Sequence, residues 1–434
     1  MSEKIPFSRL SGVPRITGDY LDGRQAINSL LGGDWRDPAT RQLVRDSRRK
    51  TNRNAGLAAA ITASYNGCEI PIEVKRNIEA LDHPDTLAIV TGQQVGLFGG
   101  PLYTYYKALT TVLMAKELSK ETDGKVVPVF WMETADADFS EVDHVGFPPC
   151  HPKYPVSRRS VYLPTDIIAG RSTRWHRFFS EIEQARSQLL EWLHPLPYKK
   201  KIVKVLHNAY KPGFPIADAF RELMTELMGS MGLVMFDPLA PSIVERSKDF
   251  WVSCLDRPER FSNAFSVTSR EINSLRLPLQ VKLRDDTLPV FWIDNDGIRH
   301  RVVGKPGNWH LQFDDKVFQN GDLLENAVSG DGMFSPSALL RPVLQDWLLP
   351  TWIYIGGPSE IAYHAQIGRA YDQVNMSRPL IAPRISATIV ELYSRRTLDK
   401  NNWKVAEVFG GKEILLRTRG MAGNLADLFD NGEV

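Results

Sequence analysis

The chain has 434 residues, a formal net charge of +2 and a sequence pI near 8.3, a soluble composition without the charge bias of a nucleic-acid-binding tail. Its length allows two or three domains, or one core carrying large insertions. Cys68, Cys150 and Cys254 are too far apart for a metal motif or a disulfide framework, the opening MSEKIPFSRL lacks a signal-peptide core, and no run reaches the ~18 apolar residues of a membrane span. The expected setting is a reducing cytoplasm, with no membrane and no nucleic acid as partner.

Residues 1–80 read as a helical lead-in. Segment 41–63 starts polar and basic (RQLVRDSRRKTNRNAG) and becomes Ala-rich, and 73–81 suits a short helix. The basic run 45–53 reads as a solvated helix face or as an attractor for an anionic substrate. An apolar run at 87–90 then breaks into a turn holding Gly92, Gly96, Gly99, Gly100 and Pro101, and a helical period follows through Leu109, Val112, Leu113 and Leu118. A second apolar run, 126–131, ends in a cluster of acids, which closes a βαβ unit with its loops at the carboxyl ends of the strands, where open α/β sheets bind ligands. Glycines let backbone N–H groups approach an anion closely, and a helix starting near Leu102 points its positive end to the same place. Thr91, Gln93 and Gln94 add hydrogen-bonding groups, and Lys107 adds a charge one turn into the helix. The pattern is neither a GxGxxG fingerprint nor a Walker loop, so it serves equally as a structural turn or as a phosphate cradle; the polar TGQQ beside an apolar strand favours the cradle. Asp136 and Asp138, two apart on an extended stretch, would point to one side and meet a Mg²⁺ ion or a substrate ammonium. His144 is a base candidate or the cap of a turn after Asp143.

Beyond His144 the sheet pattern lapses. Residues 150–175 are rich in Pro, Ser and Arg, and 177–192 is an amphipathic helix candidate, so this region reads as an insertion. The core returns with a helix through Phe220, Leu223, Met224 and Leu227 and a strand at 233–236 that ends on Asp237, a site position or the cap of a helix near Ile243. Residues 276–318 have strand period at 279–283 and 289–293, and the turn Asp294-Asn295-Asp296-Gly297 leads into 298–303, a small antiparallel insertion. Ser335-Pro336 reads as the N-cap and first residue of a helix through Trp347. A strand at 349–355 stops at a second glycine turn, Gly356-Gly357-Pro358, followed by Glu360 and His364 on one helix face. His364 serves either a structural or a functional role. A last strand, 380–382, brings Arg384 and Ser386 to the same edge.

Five segments, TGQQVGLFGGPLYTYYK, VPVFWMETADADFSEVDH, SPSALLRPVLQD, IGGPSEIAYHAQ and PLIAPRISAT, stand in this order within about residues 80–396. Together they resemble the bacillithiol-biosynthesis cysteine-adding enzyme family, BshC. The resemblance implies a doubly wound, Rossmann-like α/β core related to nucleotidyltransferases and class I synthetases and split by insertions. It implies ligation of cysteine to glucosaminyl malate at the expense of ATP. The division expected is 1–150 for the lead-in and first half of the core, 151–215 for a first insertion, 216–262 for core, 263–330 for a small β insertion, 331–396 for the second half of the core and 397–434 for a shortened C-terminal stub. The family's nucleotide pocket maps to Thr91, Gly92, Gln93, Gln94, Gly96, Gly99, Gly100, Lys107, Gly356, Gly357, Pro358 and Glu360, and Arg341, Arg384 and Ser386 also match family positions. In the family pattern W-x-x-x-E-D-H-D-F, Ala135 and Ala137 replace the Glu and the His, leaving Asp136 and Asp138. Family members continue into a coiled coil that makes them dimers. Here Leu415, Leu416, Leu425 and Leu428 are too scattered for such a seam, so a monomer or weak homodimer with an exposed apolar patch is expected.

Joining a carboxylate to an amine requires an activated acyl group, and hence a phosphate cradle, cations, carboxylates for Mg²⁺ or an ammonium, and a base. The glycine turns with Lys107, Arg341 and Arg384 are candidates for the first two, Asp136, Asp138 and Glu360 for the third, and His144 or His364 for the base. Two other readings stand beside the ligase: a different nucleotide-dependent transferase on the same core, or a non-catalytic member that binds nucleotide or a pathway partner. Gly99→Val is expected to weaken ATP binding with the fold intact, and Lys107, taken as an exposed charge, to matter little for folding.

Overall fold

The structure is a computed structural model that describes residues 4–51, 54–147, 159–162, 168, 170–192, 199–284, 286–312, 314, 316–319, 321–330, 332–411 and 415. The apolar runs 87–90 and 126–132 have no polar alternation, the pattern of strands covered on both faces. They fold as β1 (Leu87–Gln93) and β2 (Val126–Met132), joined by the helix Leu102–Leu118. The chain then forms the short antiparallel pair β3 (His144–Phe147) and β4 (Arg159–Tyr162) and returns through the helix Ile216–Met228 to β5 (Val234–Phe236). Next come β6 (Thr287–Ile293), β7 (Arg299–Lys305), β8 (Asn308–Leu311), β9 (Val317–Gln319) and β10 (Met333–Pro336). The helix Arg341–Leu348, β11 (Thr351–Gly356), the helix Pro358–His364 and β12 (Leu380–Pro383) complete the core.

One sheet has the order β12-β11-β1-β2-β5, with every neighbouring pair parallel. The chain builds outward from β1 through β2 and β5, then crosses to the other side of β1 for β11 and β12. The winding direction therefore reverses between β1 and β11, and in doubly wound sheets the crevice at the carboxyl end of that switch point binds ligands. Alternate residues of β1 serve opposite faces: Leu87 and Ile89 pack with Ala115, Leu118 and Trp352, while Ala88 and Val90 pack in the larger cluster with Val127 and Val129. This is the doubly wound, Rossmann-like α/β architecture that the sequence led us to expect.

The basic helix Pro38–Lys50 is neither a solvated face nor a substrate attractor at its centre. Arg48 is buried and donates to the carbonyls of Asp346, Leu349 and Ser377, and Arg41 pairs with Glu121 at 2.9 Å. Guanidinium groups have several donors in a fixed fork, so they satisfy carbonyls that end core elements. Tyr20 and Thr17, from the helix Arg15–Leu21, likewise donate to the carbonyls of Ile381 and Pro358 and tie the lead-in to the second glycine turn.

Beside the parallel sheet, Phe139, Phe178, Leu206, Tyr210 and Leu223 form a separate apolar cluster with Leu97 and Phe98 from the first glycine loop. The second insertion is an antiparallel sheet of order β10-β6-β7-β8-β9. Its expected turn forms, with Gly297 at φ +79° and Asp294 accepting from the amides of Asp296 and Ile298. Two local expectations are corrected. Residues 279–283 are not a strand, because the Gln366 amide takes the place of a strand partner, bonding both the N–H and the C=O of Val281 at 2.9 Å. Ser335 and Pro336 lie in β10 opposite Phe291 and Val290, and the Ser335 hydroxyl accepts from Arg299 instead of capping a helix.

Asp237, neither cap nor cleft residue, is buried among Arg174, Arg221 and Thr134. Arg221 and Arg174 also reach Asp218, so this group fastens the first insertion to the end of β5. Ile389 and Leu392 are exposed, whereas Leu415 is buried; Leu416, Leu425, Leu428 and Cys150 lie outside the described residues. Among the described residues no helix is long and apolar enough to cross a membrane.

Candidate active site

The carboxyl edge of the parallel sheet faces the second insertion across a cleft of about 1250 Å³. Each core strand near the switch point ends in it: Gln93 and Gln94 after β1, Glu133 and Asp136 after β2, Gly357, Pro358 and Glu360 after β11, and Arg384 after β12. The helix after β1 contributes Tyr103 and Lys107, and Arg341 comes from the helix before β11. The opposite wall carries Phe291, Arg299 and Arg301, with Lys282 and Arg284 beside them. Among the described residues, seven basic side chains against four carboxylates make the cleft suited to an anionic ligand.

The carboxylates are held unequally. Lys107 is buried and spends all three N–H groups, on Gly92 O at 2.7 Å, Gln93 Oε1 at 2.8 Å and Glu360 Oε2 at 2.5 Å. The expectation of an exposed Lys107 is therefore wrong, because the second turn of its helix packs directly over the end of β1. Glu360 also accepts from the Gly357 amide at 2.8 Å and the Tyr354 hydroxyl at 2.6 Å. Arg341 donates to Gln345 at 2.8 Å and Tyr363 at 3.0 Å, and its Nε lies 3.5 Å from Glu133. Arg299 lies over the Phe291 ring at 3.8 Å and 3.8 Å from Asp136, whose other oxygen accepts from Gln94 at 2.7 Å. Arg384 rests against the Tyr103 ring and bonds Ser386 at 2.6 Å, but its Nε is buried without a partner and the side chain forms no ion pair among the described residues.

Several candidates lie elsewhere. Gly92, Gln93 and Gln94 face the cleft, but the loop then turns away to bury Leu97 and Phe98 in the insertion's apolar cluster. Gly96, Gly99 and Gly100 make that tight turn and do not line the cleft: a Cβ on Gly96 would stand 2.7 Å from Gly100 Cα. Thr91 is buried and donates to Ile355 O across the sheet. Gly356 ends β11 and accepts from the Arg384 amide, and Ser386 contacts the cleft only through Arg384. Asp136 and Asp138 do not point to one side, because β2 stops at Met132 and the chain turns; Asp138 accepts from Ser140 at 2.6 Å. Among the described residues no group of three or more His, Cys, Asp or Glu is placed to hold a metal. His144 pairs with Asp143 at 2.7 Å on β3, outside the cleft lining. His364 is buried between the Tyr354 and Tyr363 rings, with centroids 4.8 and 4.9 Å away, and burial next to Arg341 holds it neutral, well below its ordinary range.

A model of the family described as Bacillithiol biosynthesis BshC, N-terminal Rossmann-like domain, matches residues 2–385. The chain belongs to the BshC family. Relatives bearing the name "Putative cysteine ligase BshC" include one from Salinibacter ruber, 31% identical over 96% of this chain and 75% of its own length. Others from Chlorobaculum tepidum and Koribacter versatilis are each 33% identical, over 90% and 95% of this chain and 69% and 75% of their own lengths. A relative from Desulforamulus reducens is covered over only 59% of its length, so the matches span 59–75% of the length of these BshC proteins.

Against the BshC pattern, Ala135 packs with Leu239 and Ile293, an apolar setting in which a carboxylate would need a partner. The side chains that sequence reading missed are Glu133, Arg299, Arg301, Tyr354 and Tyr363. Glu133 carried a usable signal, an acid one residue past an apolar strand in the cluster already singled out; the arginines lay in a segment read only as an insertion.

The Lys107–Glu360 pair predicts a pH effect. Burial acts to raise Glu360, but the Lys107 charge and the bonds from Lys107, Tyr354 and Gly357 outweigh it and hold the carboxyl below its ordinary 4.5. A depressed carboxyl stabilises the fold above its unfolded value and loses that contribution as pH falls through the folded one. The melting-temperature advantage of wild type over Glu360→Gln should therefore be full at pH 6 to 7 and shrink below about 4.5; an advantage independent of pH would show that the pair is not ionised.

Proposed function

We propose that this chain catalyses the ATP-dependent joining of cysteine to glucosaminyl malate, the cysteine-adding step of bacillithiol biosynthesis, in the cytoplasm and on small-molecule substrates. The observation that supports it most is the switch-point cleft of a BshC-family chain, where paired carboxylates on the core wall face Arg301, Lys282 and Arg284, which form no ion pair among the described residues. The cysteine carboxylate is ionised in water and hydroxide is a poor leaving group, so the carboxyl must be activated, and ATP supplies a phosphoryl-type leaving group.

The residues suit a nucleotide's charge. Arg384 has a buried Nε with no partner, Arg301, Lys282 and Arg284 form no ion pair among the described residues, and Gly357 leaves the backbone open beside Arg384. These groups would hold phosphates and the negative charge that develops during acyl transfer. Lys107 acts at one remove, fixing Glu360 and the ends of β1 and β11. Glu133 and Asp136 supply negative charge for the amino-sugar ammonium. The expected Mg²⁺ pair of Asp136 and Asp138 does not fit, since the two side chains serve different local partners.

The test is incubation of the protein with ATP, cysteine and glucosaminyl malate, with mass spectrometry of the thiol product. The expected result is a conjugate formed only when ATP and cysteine are both present. Folded protein that makes none, across metals and pH, would overturn the ligase reading.

A further inference from the structure

Glu133, Asp136 and Glu360, the half-buried carboxylates of the core wall, differ in how far their oxygens are committed. Asp136 accepts from the Ala137 amide at 2.7 Å, the Asp138 amide at 3.2 Å and Gln94 at 2.7 Å, with Arg299 at 3.8 Å. Glu360 is bound through both oxygens by Tyr354, the Gly357 amide and Lys107. Donors aimed at an ionised carboxylate stabilise the charge and make it a poor proton acceptor. Glu133 is different. One oxygen takes both of its contacts, the Trp131 indole N–H at 3.2 Å and Arg341 at 3.5 Å, and Oε1 has no partner among the described residues although the side chain lines the cleft. Glu141, the other carboxylate of the lining, is exposed to water.

We propose that Glu133 is the general base of the acyl transfer, taking a proton from the amino-sugar ammonium; this rests on the ligase reading above. The charged groups around it are Arg341 and Arg299, which favour its ionised form, and Asp136, which opposes it. Burial is the largest influence and raises Glu133 above the ordinary carboxylate value, toward the range in which a base works best near neutral pH. In the step itself one ammonium proton passes to Glu133 Oε1, and the nitrogen lone pair attacks the activated cysteinyl carbon. The C–N bond forms, the C–O bond to the phosphoryl leaving group breaks with its electron pair staying on that oxygen, and a second nitrogen proton goes to solvent. Neither histidine proposed from sequence is available for this, since His364 is enclosed by tyrosines and His144 stands outside the cleft.

The test compares wild type, Glu133→Gln and Glu133→Asp, each checked for folding by its melting curve. With ATP and cysteine, hydroxylamine traps the activated cysteinyl group as a hydroxamate and, being already neutral at pH 7, needs no base. Glu133→Gln should keep hydroxamate formation within about threefold of wild type and lose amide formation with the amino sugar by about 100-fold or more. That loss should shrink as pH rises and the amine sheds its own proton, and Glu133→Asp should restore part of the rate. Without substrates, the difference between the infrared titrations of wild type and Glu133→Gln should isolate one carboxyl band above the ordinary range, separate from those that burial also raises at Asp346 and Glu222. Equal losses of hydroxamate and amide, undiminished amide formation, or the absence of that difference band would each overturn the base role. Absence of hydroxamate and amide in wild type would overturn the ligase reading and the base role with it, whereas wild-type hydroxamate with undiminished amide formation in Glu133→Gln would overturn the base role alone.

Discussion

Replacing Lys107 with methionine is expected to lower the stability of the fold by about 3–5 kcal/mol. Lys107 is 4% exposed and the three donors of its ammonium end on Gly92 O, Gln93 Oε1 and Glu360. Without it, a buried carboxylate loses its counter-charge and a strand-end carbonyl loses its donor, which costs more than the pair itself contributes. Urea unfolding measures the loss, and Lys107→Met combined with Glu360→Gln should recover part of it, because the orphaned charge is gone. A loss below about 1 kcal/mol would return Lys107 to the class of surface charges.

Gly99→Val should destabilise by about 2–5 kcal/mol, the sum of left-handed backbone strain and overpacking. Gly99 has φ +91°, and a Cβ there would stand 1.9 Å from the Tyr105 hydroxyl and 2.8 Å from the adjoining ring carbon. Tyr105 packs against the main core on the helix that carries Lys107, so it has little room to withdraw. Thermal melting checks this, and a variant that melts with wild type would show that the loop yields. The substitution is therefore not the clean probe of nucleotide binding that the glycine spacing suggested.

The contrast between these residues shows what the sequence carried. Strands with uninterrupted apolar runs, such as β1, β2 and β11, announce themselves because both faces are buried, and the Asp294–Gly297 turn does so because its backbone demands those residue types. The switch point, and with it Gln93, Gly357, Glu360 and Arg384, could be placed from strand ends alone. The first glycine loop was legible only in part: its glycines were visible, but the destination of Leu97 and Phe98, an apolar cluster built by a later insertion, was not. Pairings such as Arg341 with Glu133 and Arg299 with Asp136 join segments far apart in the chain, and no local period marks them. Carboxylate roles were hidden for the same reason, since the number of donors around Glu133, Asp136 and Glu360 is set by the packed structure.

If acyl transfer takes place in the switch-point cleft, Arg384→Gln should slow amide formation. Arg384 lines the cleft, has no ion pair among the described residues and presents a buried Nε without a partner, so the neutral replacement should disturb the fold little. The expected result is a loss of about tenfold or more in kcat/KM for the conjugate of cysteine and amino sugar, with the melting temperature unchanged. A folded Arg384→Gln protein that forms the conjugate at the wild-type rate would contradict it and place the chemistry elsewhere on the chain.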